Sequence, residues 1–193
     1  KEFLAVTAER YRLVAGLAPD FIWVDDDMRM QHHSPVVFGC FCDNCLALLN
    51  AANGTAYTRE SLARKVREET WPVPNATRQK WVAHCSDALT AVLSAIERSV
   101  HGISPAIQLG LMTGDQVWNA YSGGDFAIWL KTLAGNTAAP VKFRPGGGFY
   151  DDGHPFGAID KAFSIGQQIA AASGVAVDIQ SEVENFPYQK LKK

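Results

Sequence analysis

Three clusters in this chain combine residue types and spacings that can do chemistry. The tightest is Cys40-Phe41-Cys42-Asp43-Asn44-Cys45. Three thiolates so spaced can occupy three corners of a tetrahedral zinc site, with Zn–S bonds of about 2.3 Å. Cys85, His84, His32 and His33 are the candidates for the fourth corner, Cys85 foremost. An all-sulfur site of this kind is closed and offers no open position to a substrate, so the expected ion is structural zinc. The second cluster is Asp25-Asp26-Asp27, where adjacent carboxylates raise one another's affinity for protons and one of them can act as a general acid. The third is Glu182 and Glu184, two residues apart and therefore on one face of an extended segment. A carboxylate pair of this kind can divide the roles of nucleophile and tuning or binding group. Two carboxyls about 5–5.5 Å apart suit a retaining glycosidase, and a wider gap suits an inverting one. The glycines at 146–148 lack the Lys-Ser/Thr of a phosphate-binding loop and the spacing of a dinucleotide fingerprint. They read as a loop at a strand end. Ser181 lies in no G-x-S-x-G, so a serine triad has no support.

These clusters need a scaffold, and the apolar pattern supplies one. Residues 2–16 have helical spacing and stop at Gly16. Phe21-Ile22-Trp23-Val24 is a short continuous apolar run of the sort that forms a strand buried on both faces. A long irregular stretch leads to the cysteines. Helices are expected over 41–52, 58–69, 77–100, 122–133 and 158–172, with Thr58 opening the second and Ser122 capping the fourth. Strands are expected over 106–112, 141–144 and 175–180. Alternation of this kind predicts an α/β fold with about four parallel strands. In such sheets the chemistry gathers at the carboxyl ends of the strands. The polar outliers fall there: Asp25 to Asp27, Thr113 to Asp115, Arg144 to Asp152, and Glu182 to Asn185.

Composition narrows the class. The 193 residues are 47% hydrophobic and 20% charged, and 18 basic against 20 acidic residues leave no polycationic surface for nucleic acid. No apolar run approaches the roughly 18 residues of a membrane span. Neither a basic segment nor an apolar one opens the chain at Lys1-Glu2-Phe3, so a cytoplasmic location is the expectation. The length suits one domain over 1–193.

Two stretches resemble the catalytic (β/α)8 barrel of retaining glycoside hydrolases, most nearly the family 42 β-galactosidase type. One runs from Phe21-Ile22-Trp23-Val24-Asp25-Asp26-Asp27 to Gly39-Cys40-Phe41-Cys42-Asp43-Asn44-Cys45, similar to a strand ending in the acid/base carboxyl and followed by a zinc loop. The other is Glu184-Asn185-Phe186-Pro187, which looks like the segment of the nucleophile. The family's acid/base is a glutamate after asparagine, where aspartates stand here, and its fourth zinc cysteine precedes the residues present. The resemblance covers strands four to seven of the barrel. It implies a glycosidase in which Glu184 attacks the anomeric carbon while an aspartate among Asp25, Asp26 and Asp27 protonates the leaving oxygen. Arg144, Asp115 and Asn185 are then candidates for contacts to sugar hydroxyls, and Trp118 or Phe149 for a stacking wall.

Two other classes compete: a non-catalytic carbohydrate-binding or zinc-stabilised module, and a metal-dependent hydrolase with an ion on Asp25, Asp27, His32 and His33. The length sharpens the fold expectation to a partial, half TIM-type barrel, since a complete one takes roughly 250 residues. Four strands cannot close alone. A homodimer of completing halves, or a longer natural chain, is expected.

Overall fold

A computed structural model gives the fold and describes residues 2–30, 38–70, 72–114, 116–147, 149 and 154–182, without the side chains of Val117, Trp118 and Phe156. The elements are α1 (Glu2–Ala15), β1 (Phe21–Val24), α2 (Asp43–Asn53), α3 (Arg59–Arg67), α4 (Ala76–His101), β2 (Gln108–Met112), α5 (Gln116–Ala120), α6 (Phe126–Ala134), β3 (Val141–Arg144), α7 (Phe156–Ser173) and β4 (Val177–Ile179). The fold is α/β, as expected, with one four-stranded sheet in the order β1-β2-β3-β4 and every pairing parallel.

The chain forms two compact units. The first takes Lys1–Met28, Thr90–Gln116 and Asp125–Lys193; the second takes Arg29–Leu89 and Val117–Gly124. In the first unit, strand alternation sorts the sheet into two unlike faces. Val24, Leu109, Leu111, Val141 and Phe143 lie on one face and are buried. Phe143 meets Phe126 of α6 at 6.4 Å between ring centroids. α7 covers the same face farther along, where a Cβ on Gly166 would stand 3.3 Å from Ile179. Full burial of one such side chain is worth about 1.5–3 kcal/mol, which makes this layer the principal core of the unit.

The other face carries Phe21, Trp23, Gln108, Gly110, Met112, Lys142, Arg144 and Asp178. Only Gly110 and Arg144 of these are buried. Trp23 lies over Gly110, where a Cβ would run into the indole ring, so glycine is required to seat the ring. Lys142 Nζ pairs with Asp178 at 3.0 Å and stands 5.2 Å from the centre of the Phe21 ring.

The second unit is built on Leu49, Leu62, Val66, Trp81 and Cys85, with Met30, Phe38, Phe41, Cys45, Leu46 and Tyr57 packed around them. Its helices start and stop where local chemistry dictates. Thr58 caps α3 reciprocally with Ser61: each side-chain oxygen accepts the other's backbone N–H, at 3.2 and 2.9 Å. Asn75 accepts from the Arg78 N–H at the start of α4. Gly54 ends α2 in the left-handed conformation, at φ 61°.

Three sequence expectations need correction. α6 starts at Phe126 and is capped by Asp125, whose Oδ1 accepts from the Ile128 N–H at 3.0 Å. Ser122 is not the cap. It stands in a turn with Gly123 at φ 80°, which breaks the helical path, and its hydroxyl donates to the Asn119 carbonyl. The short helix α5 had no periodic signal in its five residues. β2 and β4 are each shorter at their N-terminal ends than their apolar runs. At β2 the backbone turns first, with Ile107 N–H donating to Ser104 O.

Candidate functional sites

The strand ends of the first unit converge on one cation. Arg144 is the last residue of β3, and its side chain is only 4% exposed. Its guanidinium donates to the Thr113 carbonyl at 2.9 Å, to Asp26 Oδ2 at 3.3 Å, and stands 3.0 Å from Glu182 Oε2 through Nε. Carboxylates delivered by the ends of β1 and β4 therefore lie within one guanidinium of each other. Asp26 and Glu182 keep part of their surface in solvent, at 34% and 24%, so the cluster opens outward from a buried base.

Thr113, just past β2, ties the loops together. Its N–H donates to Arg144 O at 3.0 Å, its hydroxyl oxygen accepts from the Gly146 N–H at 3.2 Å, and its carbonyl accepts from the Gly147 N–H at 2.7 Å. Gly146 and Gly147 have φ of 80° and 85°, which side chains rarely adopt, so the glycine run serves backbone geometry here. Phe149 N–H donates to the Glu182 carbonyl at 2.9 Å, linking the third loop to the fourth strand end. The Phe149 ring meets His154 edge-on at 5.4 Å.

Asp25 is exposed and accepts the Asp26 N–H on Oδ1 at 2.8 Å. Burial, and then the negative charge of Asp25, push the Tyr11 hydroxyl above the ordinary tyrosine range. Tyr11 and Thr113 were not singled out as site residues in the sequence. Tyr11 sits on a helical apolar stripe that gives no hint of a carboxylate neighbour. Thr113 was legible only as a polar residue at a strand end.

Of the other expected residues, Asp27 is exposed and engaged with a partner. Asp115, Asn185, Glu184, His32 and His33 lie outside the described residues, as does the Trp118 side chain.

The second unit holds the cysteine cluster. Cys40, Cys42 and Cys45 bring their sulfurs within 4.8 Å of one another. Tetrahedral thiolates on one ion stand roughly 3.8 Å apart, so the trio fits three corners of a metal site. The cluster lies beside the Phe41–Trp81 stack, with centroids 4.9 Å apart, and Cys42 stands at the N-cap position of α2. Cys85 is buried in the same unit but outside that trio, with its thiol donating to the Gly39 carbonyl at 3.7 Å. One residue before it, His84 Nε2 is buried and has no hydrogen-bond partner among the described residues, with its ring 5.6 Å from that of Trp81. Burial pushes the Cys40 and Cys85 thiols up and raises Cys45 to about 12. Cys42 is drawn down, chiefly by the Cys45 backbone N–H. Burial pushes His84 down, which keeps it neutral and suited to bind a cation.

Among the described residues no helix is long and apolar enough to cross a membrane. No family model, no curated protein and no solved structure matches the chain.

Proposed function

We propose that the chain is a glycoside hydrolase that cleaves a β-glycosidic bond by a retaining, two-carboxylate mechanism. The observation that carries this reading is the convergence of Asp26 and Glu182, from the ends of β1 and β4, on the buried Arg144. Acidic groups held together at the C-terminal rim of a parallel sheet are what the reaction requires. Glu184 attacks the anomeric carbon, and the glycosidic bond breaks as an aspartate among 25–27 gives its proton to the departing oxygen. That aspartate then takes a proton from the water that releases the sugar. Asp26 commits its carboxylate to Arg144 at the base of the cluster, and the proton is carried at its exposed rim. Arg144 itself serves as a positioning cation rather than a direct contact to sugar hydroxyls, because its guanidinium is engaged at the base of the cluster. Glu182 shares that cation and sets the electrostatics beside Glu184.

The cysteine trio holds a structural zinc ion in this reading, completed by Cys85 or His84, and supplies no chemistry to the sugar. Nitrophenyl β-galactoside and β-glucoside are suitable probes. Glu184→Gln should cut kcat by at least roughly 10⁴ while leaving the fold intact. Sugar affinity without turnover, unchanged in that variant, would instead identify a binding module. Activity removed by a chelator and restored by zinc, with no change in melting temperature, would identify a metal-dependent hydrolase.

A further inference from the structure

The four cysteines of the chain share the second unit but not one degree of exposure. Cys85 is buried among Leu49, Leu62, Val66 and Trp81, with its thiol on the Gly39 carbonyl. Cys40 and Cys45 are half-buried, and Cys42 alone of the four is open to solvent. Thiol oxidation follows exposure, so Cys42 carries the sulfur that a small solute reaches first. A metal site whose sulfurs were all buried would resist such attack. This one presents a ligand sulfur at the surface.

The backbone decides which sulfur answers. Cys42 stands at the N-cap of α2, and Cys45 follows three residues on, in the first turn. Positions three apart on a helix hold their Cα atoms roughly 5 Å apart, inside the about 4.4–6.8 Å that a disulfide spans. The two sulfurs already lie within 4.8 Å of each other. Side-chain rotation closes that gap to the about 2.05 Å of an S–S bond. Cys40 is less suited as the partner. Its sulfur accepts the Cys42 N–H at 3.3 Å, a bond that holds it against the main chain. With one residue between them, Cys40 and Cys42 would also close a smaller and more strained ring.

We propose that Cys42 and Cys45 form a reversible oxidation site, closed to a disulfide by a hydroperoxide, and that closure expels the ion held by the cysteine trio. The Cys42 sulfur attacks one peroxide oxygen. An S–O bond forms, the O–O bond breaks, and the hydroxide that leaves takes a proton from solvent to become water. The Cys45 sulfur then attacks the sulfenic sulfur of Cys42. The S–S bond forms, the S–O bond breaks, and a second hydroxide leaves as water with a second proton. Two electrons pass from the two sulfurs to the peroxide. Disulfide sulfurs carry no negative charge, so two of the three anionic ligands are lost and the remaining donors no longer hold a divalent cation. A dithiol reductant attacks the exposed Cys42 sulfur and reverses the change. The loss of the ion rests on the zinc reading above; the disulfide does not.

The test treats the unsubstituted chain, as purified, with a small molar excess of hydrogen peroxide at neutral pH. Intact mass should fall by two hydrogens, and a chromophoric chelator should register one divalent ion released per disulfide. The remaining thiols are then alkylated in denaturant. Cleavage before Asp43 separates Cys42 from Cys45, so the expected bond joins two peptides and leaves the label on Cys40 and Cys85. Dithiothreitol with added zinc should restore both the mass and the ion. A bond made by Cys40 or Cys85, oxidation that stops at sulfinic acid on Cys42, or no reaction at all overturns the inference. So does a disulfide that forms while the ion stays bound. A chain purified without any ion would sink the zinc reading alone, and the mapped bond would still decide the oxidation site.

Discussion

Removing the guanidinium of Arg144 tests the centre of the structure directly. Arg144→Met keeps the length and most of the packing of the side chain but takes away the cation between Asp26 and Glu182 and the donor to Thr113 O. Breaking a fully buried ion pair costs about 3–5 kcal/mol. Asp26 and Glu182 are respectively 34% and 24% exposed, so solvent screens part of their repulsion, and about 2 kcal/mol is the fair share for the pair of contacts. The Thr113 carbonyl, left without that donor, adds about 1 kcal/mol. The total of about 3 kcal/mol corresponds to a fall in Tm of roughly 6–12 °C for a chain of this size. Arg144→Lys restores the charge but not the planar fork, and should recover about half of the loss. Thermal unfolding by circular dichroism, with denaturant titration as a second measure, reads both variants. A loss below about 1 kcal/mol for Arg144→Met would refute the reasoning, because it is what a solvent-exposed ion pair is worth. Equal losses for the Met and Lys variants would show that shape, not charge, holds the cluster.

Gly110→Ala should destabilise by about 1–3 kcal/mol through the clash of its Cβ with the Trp23 ring, and Trp23→Leu in the same chain should return part of it, measured as a double-mutant cycle. Thr58→Ala removes one half of the reciprocal cap of α3 and should cost about 1 kcal/mol in chemical denaturation. His84 takes up protons less readily folded than unfolded, so the unfolded chain binds more of them as the pH falls below about 6.5. Stability should decline from that pH downward, and His84→Gln should flatten this part of the pH profile, whereas a rise in stability on acidification would contradict the burial of its ring. One zinc ion per chain should be retained through gel filtration, measured by plasma emission, and Cys42→Ser with Cys45→Ser should abolish it and lower Tm.

Much of the scaffold was readable because each strand is a short segment rich in β-branched and apolar residues near a breaker. Phe21–Val24 and Val141–Arg144 coincide with the expected strands since Pro19 and Pro140 precede them, and the three aspartates follow the first while Pro145 and the glycines stop the second. The cysteine spacing announced a cluster because six residues cannot separate three thiols by much. Boundaries set by turns were harder to read. Ser122 and Asp125 are both good caps by type, and only the left-handed Gly123 between them decides which is used. The partnership of Arg144 with Asp26 and Glu182 joins residues more than thirty positions apart, and no local pattern encodes it. Its sign was legible, as a cation near acids at strand ends. Its burial was not, because burial is a property of the assembled sheet.

The interleaving of the two units also sets the order of events during synthesis. β1 belongs to the first unit, yet the chain makes nearly all of the second unit before it makes β2, its hydrogen-bonding neighbour. Gln108 follows Val24 by roughly eighty residues, and at 5–20 residues per second the nascent Phe-Ile-Trp-Val segment waits about 4–16 seconds for a strand to pair with. Through that interval the cysteine loop and its helices can consolidate while the first strand remains an exposed apolar ribbon. The protein therefore has a built-in window in which a ribosome-associated chaperone has something to hold, and synonymous codons between 29 and 107 set how long that window stays open.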